Sequence, residues 1–358
     1  MMKIATSTSP CLRGYPKSRQ SGAALLIAML IVVLGLVTLL TFRTDRKGPE
    51  MEAERKTALA LAQAKEALLG YAAADINHPG SLPCPDANDD GLSDAKDYTG
   101  SACVAYVGRL PWKYLGLADI RDGSGERLWY ALSPSFDANT TKINPQMLGQ
   151  ITLRAASGAI LYDASSGNGV VAVVIAPATA LTRADSVLSQ DRTCTVGTNC
   201  DINLICTNKP YTDAPKCLPV NYLDINPSVE DNGDFNVSTT NGFIQGTIKT
   251  SFGSTILNDR ILPITWKELF SVVTMRMAHE LANYWASLPG NYFPAAATNS
   301  ISTVSVPLIW SSNKWDTSAT VTVSGSTAAI FTMRFINCSA NYSISIDNAY
   351  RVTRIGQC

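Results

Sequence analysis

The chain has 358 residues, and its 29 Lys and Arg balance 29 Asp and Glu, so the formal net charge is zero. Without an excess of positive charge there is no extended field to attract a polyanion, and we expect no nucleic-acid partner. Hydrophobic residues make up 46% of the sequence, which is enough for one large domain or two smaller ones.

The first predicted element is an apolar helix at residues 20–42, which contains no charged residue. A helix of this length is about 35 Å long and would cross the roughly 30 Å hydrocarbon core of a bilayer. The alternative is a secretory signal peptide that is removed, but its apolar core would be only about 7 to 15 residues long and would end at a small-residue cleavage site. Residues 43–47 offer no such site, so we predict a retained single-pass membrane helix.

The residues around Gly22 follow a specific order. A polar leader containing several Lys and Arg ends at Gly22, and the apolar segment begins at once with Ala23. This order resembles the type IV pilin superfamily, which includes type IV pilins, minor pilins and the pseudopilins of type II secretion. The resemblance implies that a prepilin peptidase cleaves after Gly22 and that Ala23 becomes a methylated N-terminus.

Position 27 departs from the family pattern. The fifth residue after the cut is usually a Glu that pairs with a neighbour's N-terminal amine in the fibre, and here it is Ile27. Because an isoleucine cannot make that pair, the departure argues against a major pilin that packs repetitively. An ordinary single-pass anchor that is never processed is the alternative.

The nine cysteines indicate an oxidising compartment. Cys11 lies in the leader, and its removal leaves an even set of eight, as expected of a disulfide-bonded domain outside the cytoplasm. The eight are Cys84, Cys103, Cys194, Cys200, Cys206, Cys217, Cys338 and Cys358. Proximity in the chain suggests that Cys84 pairs with Cys103 and Cys338 with Cys358, with the other four paired among themselves. No CxxC pair occurs and the two histidines are isolated, so zinc is not expected.

Gly48-Pro49 is expected to interrupt the helix, because proline removes a main-chain hydrogen bond. The helix should resume at Glu50, and Leu61, Ala64, Leu68 and Tyr71 follow helical spacing. We predict that this face packs against a sheet.

The segment DANDDGLSDAKD at residues 86–97 resembles a calcium loop. It has oxygen ligands at alternating positions and a glycine, Gly91, at the sixth position, where a sharp turn is needed. The predicted ligands are Asp86, Asn88, Asp90, the main-chain carbonyl of Leu92, Asp94 and Asp97. A solvated acidic turn is the alternative, and if calcium binds we expect a structural role.

The rest of the chain is predicted to be mostly strands. Aromatic side chains at Trp112, Trp129 and Tyr130 are expected to lie in the core instead of forming a sugar- or peptide-binding platform. The segment 170–175 is apolar on both faces and should lie mid-sheet. Thr265 and Glu268 form a capping box that opens a second helix, which ends before Pro289. The predicted strands are 127–133, 151–154, 159–162, 170–175, 304–310, 319–324, 328–336, 342–346 and 350–355.

These elements predict an α+β fold with one central sheet. The long N-terminal helix, with a membrane half and an amphipathic half, packs on an antiparallel sheet, followed by a disulfide-rich insertion and then by a second helix and a C-terminal β-rich region. We divide the chain into a leader at 1–22, a transmembrane helix at 23–48, a pilin-like domain at 49–190, a Cys-rich insertion at 191–220 and a last region at 221–358.

We do not expect an enzyme, because the sequence has no GxSxG, Walker or Rossmann pattern. His279-Glu280 begins an apparent HExxH, but Asn283 stands where the second histidine is needed.

The leading hypothesis is a minor pilin or pseudopilin that waits in the inner membrane, with its globular part outside the cytoplasm. It would join other pilins through its N-terminal helix, at the tip of the fibre or in the step that primes assembly. The alternatives are a membrane-tethered binding protein or adhesin and an anchored periplasmic hydrolase. The sequence does not decide whether the assembly is a pilus, a secretion pseudopilus or a DNA-uptake apparatus.

Overall fold

The structure is a computed structural model of the whole chain. It describes residues 21–95, 103–137, 142–182, 190, 220–223, 232–233, 242–290, 304–324, 330–345 and 349–358, and within these ranges only the backbone of 21–26, 37–47, 220–221 and 323–324. Residues 1–20 of the leader with Cys11, the predicted ligand Asp97 and the four middle cysteines lie outside the described residues. The chain divides into two compact units, Met1–Glu52 and Ala53–Cys358.

The first helix, α1, spans Ser21–Ala74 and contains Pro49. The predicted interruption at Gly48-Pro49 is therefore wrong: a proline removes one main-chain hydrogen bond, and the bonds of the neighbouring turns maintain the helix. Among the residues that the structure describes, no helix is both long and apolar enough to cross a membrane. The predicted membrane helix includes residues 20–26 and 37–42, whose side chains lie outside the described part, and it stays a prediction.

The central sheet of the second unit has four antiparallel strands in the order β1-β2-β5-β9. Its strands are β1 (Val107–Arg109), β2 (Trp129–Leu132), β5 (Ala172–Ala176) and β9 (Arg260–Ile264). β5 is buried along its whole length between β2 and β9, so the mid-sheet position predicted for residues 170–175 is confirmed.

Each face of this sheet is covered by a different layer. Alternate residues of a strand point to opposite faces, so Tyr130 belongs to one hydrophobic cluster and Trp129 to another. The first cluster includes Leu61, Ala64 and Leu68 of α1. The amphipathic part of α1 therefore packs on the sheet through the face that its spacing predicts.

The second face is covered by short elements. These are the three-stranded sheet of β3 (Leu153–Ala155), β4 (Ile160–Tyr162) and β6 (Phe243–Gln245) and the helix α2 (Val220–Leu223). A separate hairpin of β7 (Ile248–Lys249) and β8 (Thr255–Leu257) follows β6 in the chain. β3 pairs antiparallel with β4 and parallel with β6. The chain therefore forms several sheets, where the sequence predicted one central sheet, because these short segments pair with one another instead of extending β1-β2-β5-β9.

The helix α3 (Trp266–Ser287) begins with the predicted capping box: the Thr265 hydroxyl accepts from the Glu268 N–H, and the Glu268 carboxylate accepts from the Thr265 N–H. Its buried face includes Phe270, Val273 and Met277. The residue after the helix, Leu288, is its C-cap, in agreement with the predicted end before Pro289.

The C-terminal region is a four-stranded antiparallel sheet in the order β10-β11-β12-β13. Its strands are β10 (Ala319–Ser324), β11 (Ile330–Phe335), β12 (Asn341–Ser345) and β13 (Arg351–Ile355). Residues 304–310 do not form the predicted strand. Pro307 instead caps the short helix α4 (Leu308–Ser312), in which Trp310 is buried and its N–H donates to the Pro307 carbonyl.

The predicted combination of helices with antiparallel sheets is confirmed, with disulfide bonds present. One hydrophobic cluster includes Ala60 of α1, Val174 of the central sheet, Phe270 of α3, Phe331 of the C-terminal sheet and Cys358. The second unit therefore has a continuous core from its first helix to the last residue of the chain.

Candidate functional site

The first candidate site is the apolar N-terminal part of α1. Its described side chains at residues 27–36 are exposed, with Ile27 at 59% and Met29 at 64%. Gly22 and Ala23 lie in the first turn of this helix, and only their backbone is described. A contiguous exposed apolar surface of this kind is typical of a site that binds lipid or other proteins.

The second candidate site is the acidic loop, which is folded around Asp86. This side chain is buried, and its Oδ1 accepts from the N–H groups of Asn88 (3.1 Å) and Asp89 (2.6 Å). Its Oδ2 accepts from the N–H of Gly91 at 2.7 Å. Burial raises the pKa of Asp86 to about 7, although the N–H groups of Gly91 and Asp89 oppose this by stabilising the carboxylate.

The other predicted calcium ligands lie along the same loop. Asn88 accepts from the Asp90 N–H, and Asp90 accepts from the Leu92 N–H, while Asp94 reaches back to the Ala87 N–H at 2.8 Å. Among the His, Cys, Asp and Glu side chains of the described residues, three ligand atoms come within 4.8 Å of one another only at Cys84, Cys103 and Asp137, not in this loop. The loop is thus folded, but its carboxylates do not converge on one point.

The Cys84, Cys103 and Asp137 cluster is not a thiolate site. Cys84 and Cys103 are bonded to each other, with their Cα atoms 5.3 Å apart, so neither sulfur is a free thiolate ligand. Asp137 accepts from the Cys103 N–H at 3.1 Å. The bond closes the acidic loop with the pairing that the sequence suggests.

A chain of alternating charges supports the acidic loop. The Oδ1 atom of Asp89 lies 2.9 Å from Nη1 of Arg127 and 3.9 Å from Nε of Arg109. Arg127 also contacts Asp119 at 3.0 Å, and Arg121 contacts Asp119 at 2.7 Å. Burial favours a higher pKa for Asp119, but hydrogen bonds from Arg127 and Arg121 dominate and lower it. No local sequence pattern predicts this network, because its members lie up to 38 positions apart in the chain.

Arg109 also contacts two aromatic rings, Trp129 and Tyr222, which pack against each other with ring centres 5.3 Å apart. Its guanidinium carbon lies 4.2 Å from the ring centre of Trp129 and 4.1 Å from that of Tyr222. Both rings are buried, so each contact is a desolvated cation–π interaction. Trp129 is a core residue, as the sequence predicts, and Tyr222 of α2 connects the segment after the Cys-rich insertion to the central sheet.

His279 and Glu280, which begin the apparent HExxH, lie on α3. Glu280 of α3 pairs with Arg276 at 3.7 Å, and His279 is exposed. An open groove between α3 and β13 is lined by polar and apolar side chains, without a carboxylate, thiol or imidazole. Its lining residues are Ser271, Val272, Met275, Val352, Thr353 and Arg354.

Comparison with known proteins finds no matching family model, no similar curated protein and no matching solved structure.

Proposed function

We propose that this protein is a pilin-like subunit, a minor pilin or pseudopilin, built into a type IV pilus or a type II secretion pseudopilus through α1. The observation that supports this most directly is the course of α1, which spans the proposed cleavage junction and continues through Pro49 to Ala74. Its first part exposes apolar side chains, and its last part packs on a sheet. A rod of this kind can pass from lipid into a bundle of similar helices, because both surroundings are apolar.

Within a fibre, we place the subunit at the tip or in the step that primes assembly. The second unit, Ala53–Cys358, is large, and at the tip no further subunit stacks above it. Ile27 cannot pair with the N-terminal amine of a neighbour, and the topmost subunit has no preceding neighbour to pair with. Deletion of the gene should reduce the number of fibres or the amount of secreted protein. Unchanged fibres and unchanged secretion would contradict this placement.

Processing separates the proposal from its main rival, a membrane-tethered binding protein or adhesin. Mass spectrometry of the protein from its host should find N-methylalanine at Ala23 and no leader. Gly22→Val should retain the leader, because a branched side chain would replace the glycine at the cleaved bond, while Gly14→Val, within the leader, should be processed as the wild type is. An intact leader on the wild-type protein would favour the unprocessed tether.

We also propose that the acidic loop takes up calcium as a structural ion. The support is the spacing of its oxygen ligands and the buried Asp86, whose ionised form a bound cation would stabilise. Millimolar Ca²⁺ should raise the melting temperature of the wild type above its value in a chelator, and Asp90→Asn should reduce this increase. An equal melting temperature in both buffers would leave the solvated acidic turn as the correct interpretation.

A further inference from the structure

The last ten residues of the chain form a strap at the edge of the C-terminal sheet. The strap, residues 349–358, contains β13, which pairs with β12 on one side only and is an edge strand. Of its strand side chains only Val352 is buried, and Ile355 is 72% exposed. Apolar burial within β13 is therefore limited to Val352, and on either side of the strand Tyr350 and the disulfide-bonded Cys358 pack against the main core.

The strap is attached to a fixed part of the fold by a disulfide bond. Cys358 is bonded to Cys338, which lies in the turn between β11 and β12. That turn is anchored independently, because Arg334 donates to the Cys338 carbonyl at 2.9 Å and Asn337 donates to the Pro145 carbonyl at 3.2 Å. The bond therefore joins a weakly buried strand to a well-anchored turn.

The same bond lies against helix α3. The Cys358 sulfur is 3.6 Å from the Thr274 hydroxyl and 3.4 Å from the Tyr342 hydroxyl, and these two hydroxyls are 2.6 Å apart. Four residues before Cys358, Arg354 donates to the Ser271 carbonyl at 2.8 Å. When the disulfide bond is formed, the strap therefore contacts both the C-terminal sheet and α3.

We propose that the Cys338–Cys358 bond is a redox-controlled lock, and that its reduction releases the strap while the rest of the second unit stays folded. A dithiol reductant supplies two electrons and two protons, so that the disulfide becomes two cysteine thiols and the reductant becomes a disulfide. Release uncovers the outer edge of β12 and the side of α3 that carries Val272 and Met275. This inference does not depend on the proposed function.

Hydrogen exchange of the full-length protein tests the lock. In Cys338→Ser/Cys358→Ser, amides of residues 349–358 should exchange about 100-fold faster than in the wild type, since closing a loop of this size restricts the open state by roughly that factor. The central sheet should keep its protection. Val352→Ala, with the bond intact, is the matched control and should keep the strap protected.

Trypsin gives a second readout, because Arg351 and Arg354 lie in the strap. The reduced protein should release C-terminal peptides rapidly, while the oxidised protein and Cys84→Ser/Cys103→Ser should not. Equal exchange and cleavage with and without the bond would overturn the proposal. Loss of protection throughout the second unit in Cys338→Ser/Cys358→Ser would also overturn it, since the bond would then hold the whole fold and not the strap.

Discussion

Gly123 lies where the turn after Asp122 meets the first residues of the second unit. A Cβ atom at Gly123 would come 2.1 Å from the Ala53 carbonyl oxygen, and the Gly123 N–H donates to the Thr57 hydroxyl at 2.9 Å. Asp122, which is buried, orients the turn by accepting from the N–H groups of Ser124 and Glu126. A side chain at position 123 would therefore separate the turn from α1.

Gly123→Ala should destabilise the protein by about 2 kcal/mol or more, because main-chain atoms of α1 must move to admit the methyl group. Gly70 is the matched control: it lies inside α1 with nothing within 4 Å of its Cβ position. Gly70→Ala should stabilise the protein by about 0.5–1 kcal/mol, the helix-propensity difference. Denaturant unfolding of both variants measures the two changes in the free energy of unfolding. If the two changes were equal, Gly123 would not lie in close contact with the Ala53 carbonyl.

Asp86 should make stability depend on pH. Its pKa is about 7 in the folded protein and about 3.9 in an unfolded chain, so the folded state binds this proton more tightly. The resulting contribution to stability is complete below about pH 4 and is lost as the pH rises towards 7.

Melting temperatures between pH 4 and 8 in a chelator test this prediction. Asp86→Asn cannot ionise but keeps an oxygen that accepts from the N–H groups of Asn88 and Asp89. We expect the melting temperature of this variant to change less over the pH range than that of the wild type. Parallel pH profiles for the two proteins would show that Asp86 is ionised throughout.

At the scale of elements, Lys65 joins three of them. From α1 its Nζ donates to the Pro263 carbonyl of β9 at 2.9 Å and to the Glu268 carboxylate of α3 at 2.5 Å. Glu268 also belongs to the capping box, and its hydrogen bonds with Lys65 and Thr265 outweigh the effect of burial and lower its pKa. One lysine thus connects the long helix to the sheet edge and to the start of α3.

Lys65→Met should destabilise the protein by about 1–3 kcal/mol, because the half-buried Pro263 carbonyl loses its lysine donor and the Glu268 carboxylate keeps only the hydrogen bonds from Thr265. Lys56→Met changes an exposed lysine of the same helix and should stay within about 0.5 kcal/mol of the wild type. A double-mutant cycle with Glu268→Gln should give a coupling of about 1 kcal/mol, since Glu268 is partly exposed. A coupling near zero would mean that the ion pair is not significant in solution.

Local patterns predicted some elements well and others poorly. The Thr265–Glu268 capping box involves residues three apart, so its helix start followed directly from the sequence. Residues 304–310 had strand-like composition, but burial of Trp310 against Trp315 and Phe335 favours a short helix there. The composition of residues 304–310 does not indicate this packing, because both aromatic partners of Trp310 lie outside that segment.

For the molecule as a whole, the continuous core predicts cooperative unfolding of the second unit. Trp285 is fully buried, packs edge-on against Phe331 with ring centres 4.7 Å apart, and donates to the Ser305 carbonyl. It connects α3 to the C-terminal sheet, while Phe270 on the same helix packs against Phe136 on the side of the central sheet.

Trp285→Ala should therefore destabilise the second unit by about 3–5 kcal/mol. Hydrogen exchange should show that both the central and the C-terminal sheets lose protection together. Leu308→Ala is the control, because Leu308 is 82% exposed and its loss should change little. Lost protection in the C-terminal sheet alone would show that the core divides into two parts.

The sequence by itself determined the mid-sheet position of β5 and the start of α3. Each of these depends on residues that are close together in the chain, so hydrophobic period and capping residues are sufficient to predict them. Only the tertiary structure decided the network around Asp89, the contact of Arg109 with the Trp129 and Tyr222 rings and the packing of the C-terminal strap on α3. Those contacts join segments far apart in sequence, and burial in a common core, which no local pattern encodes, brings them together.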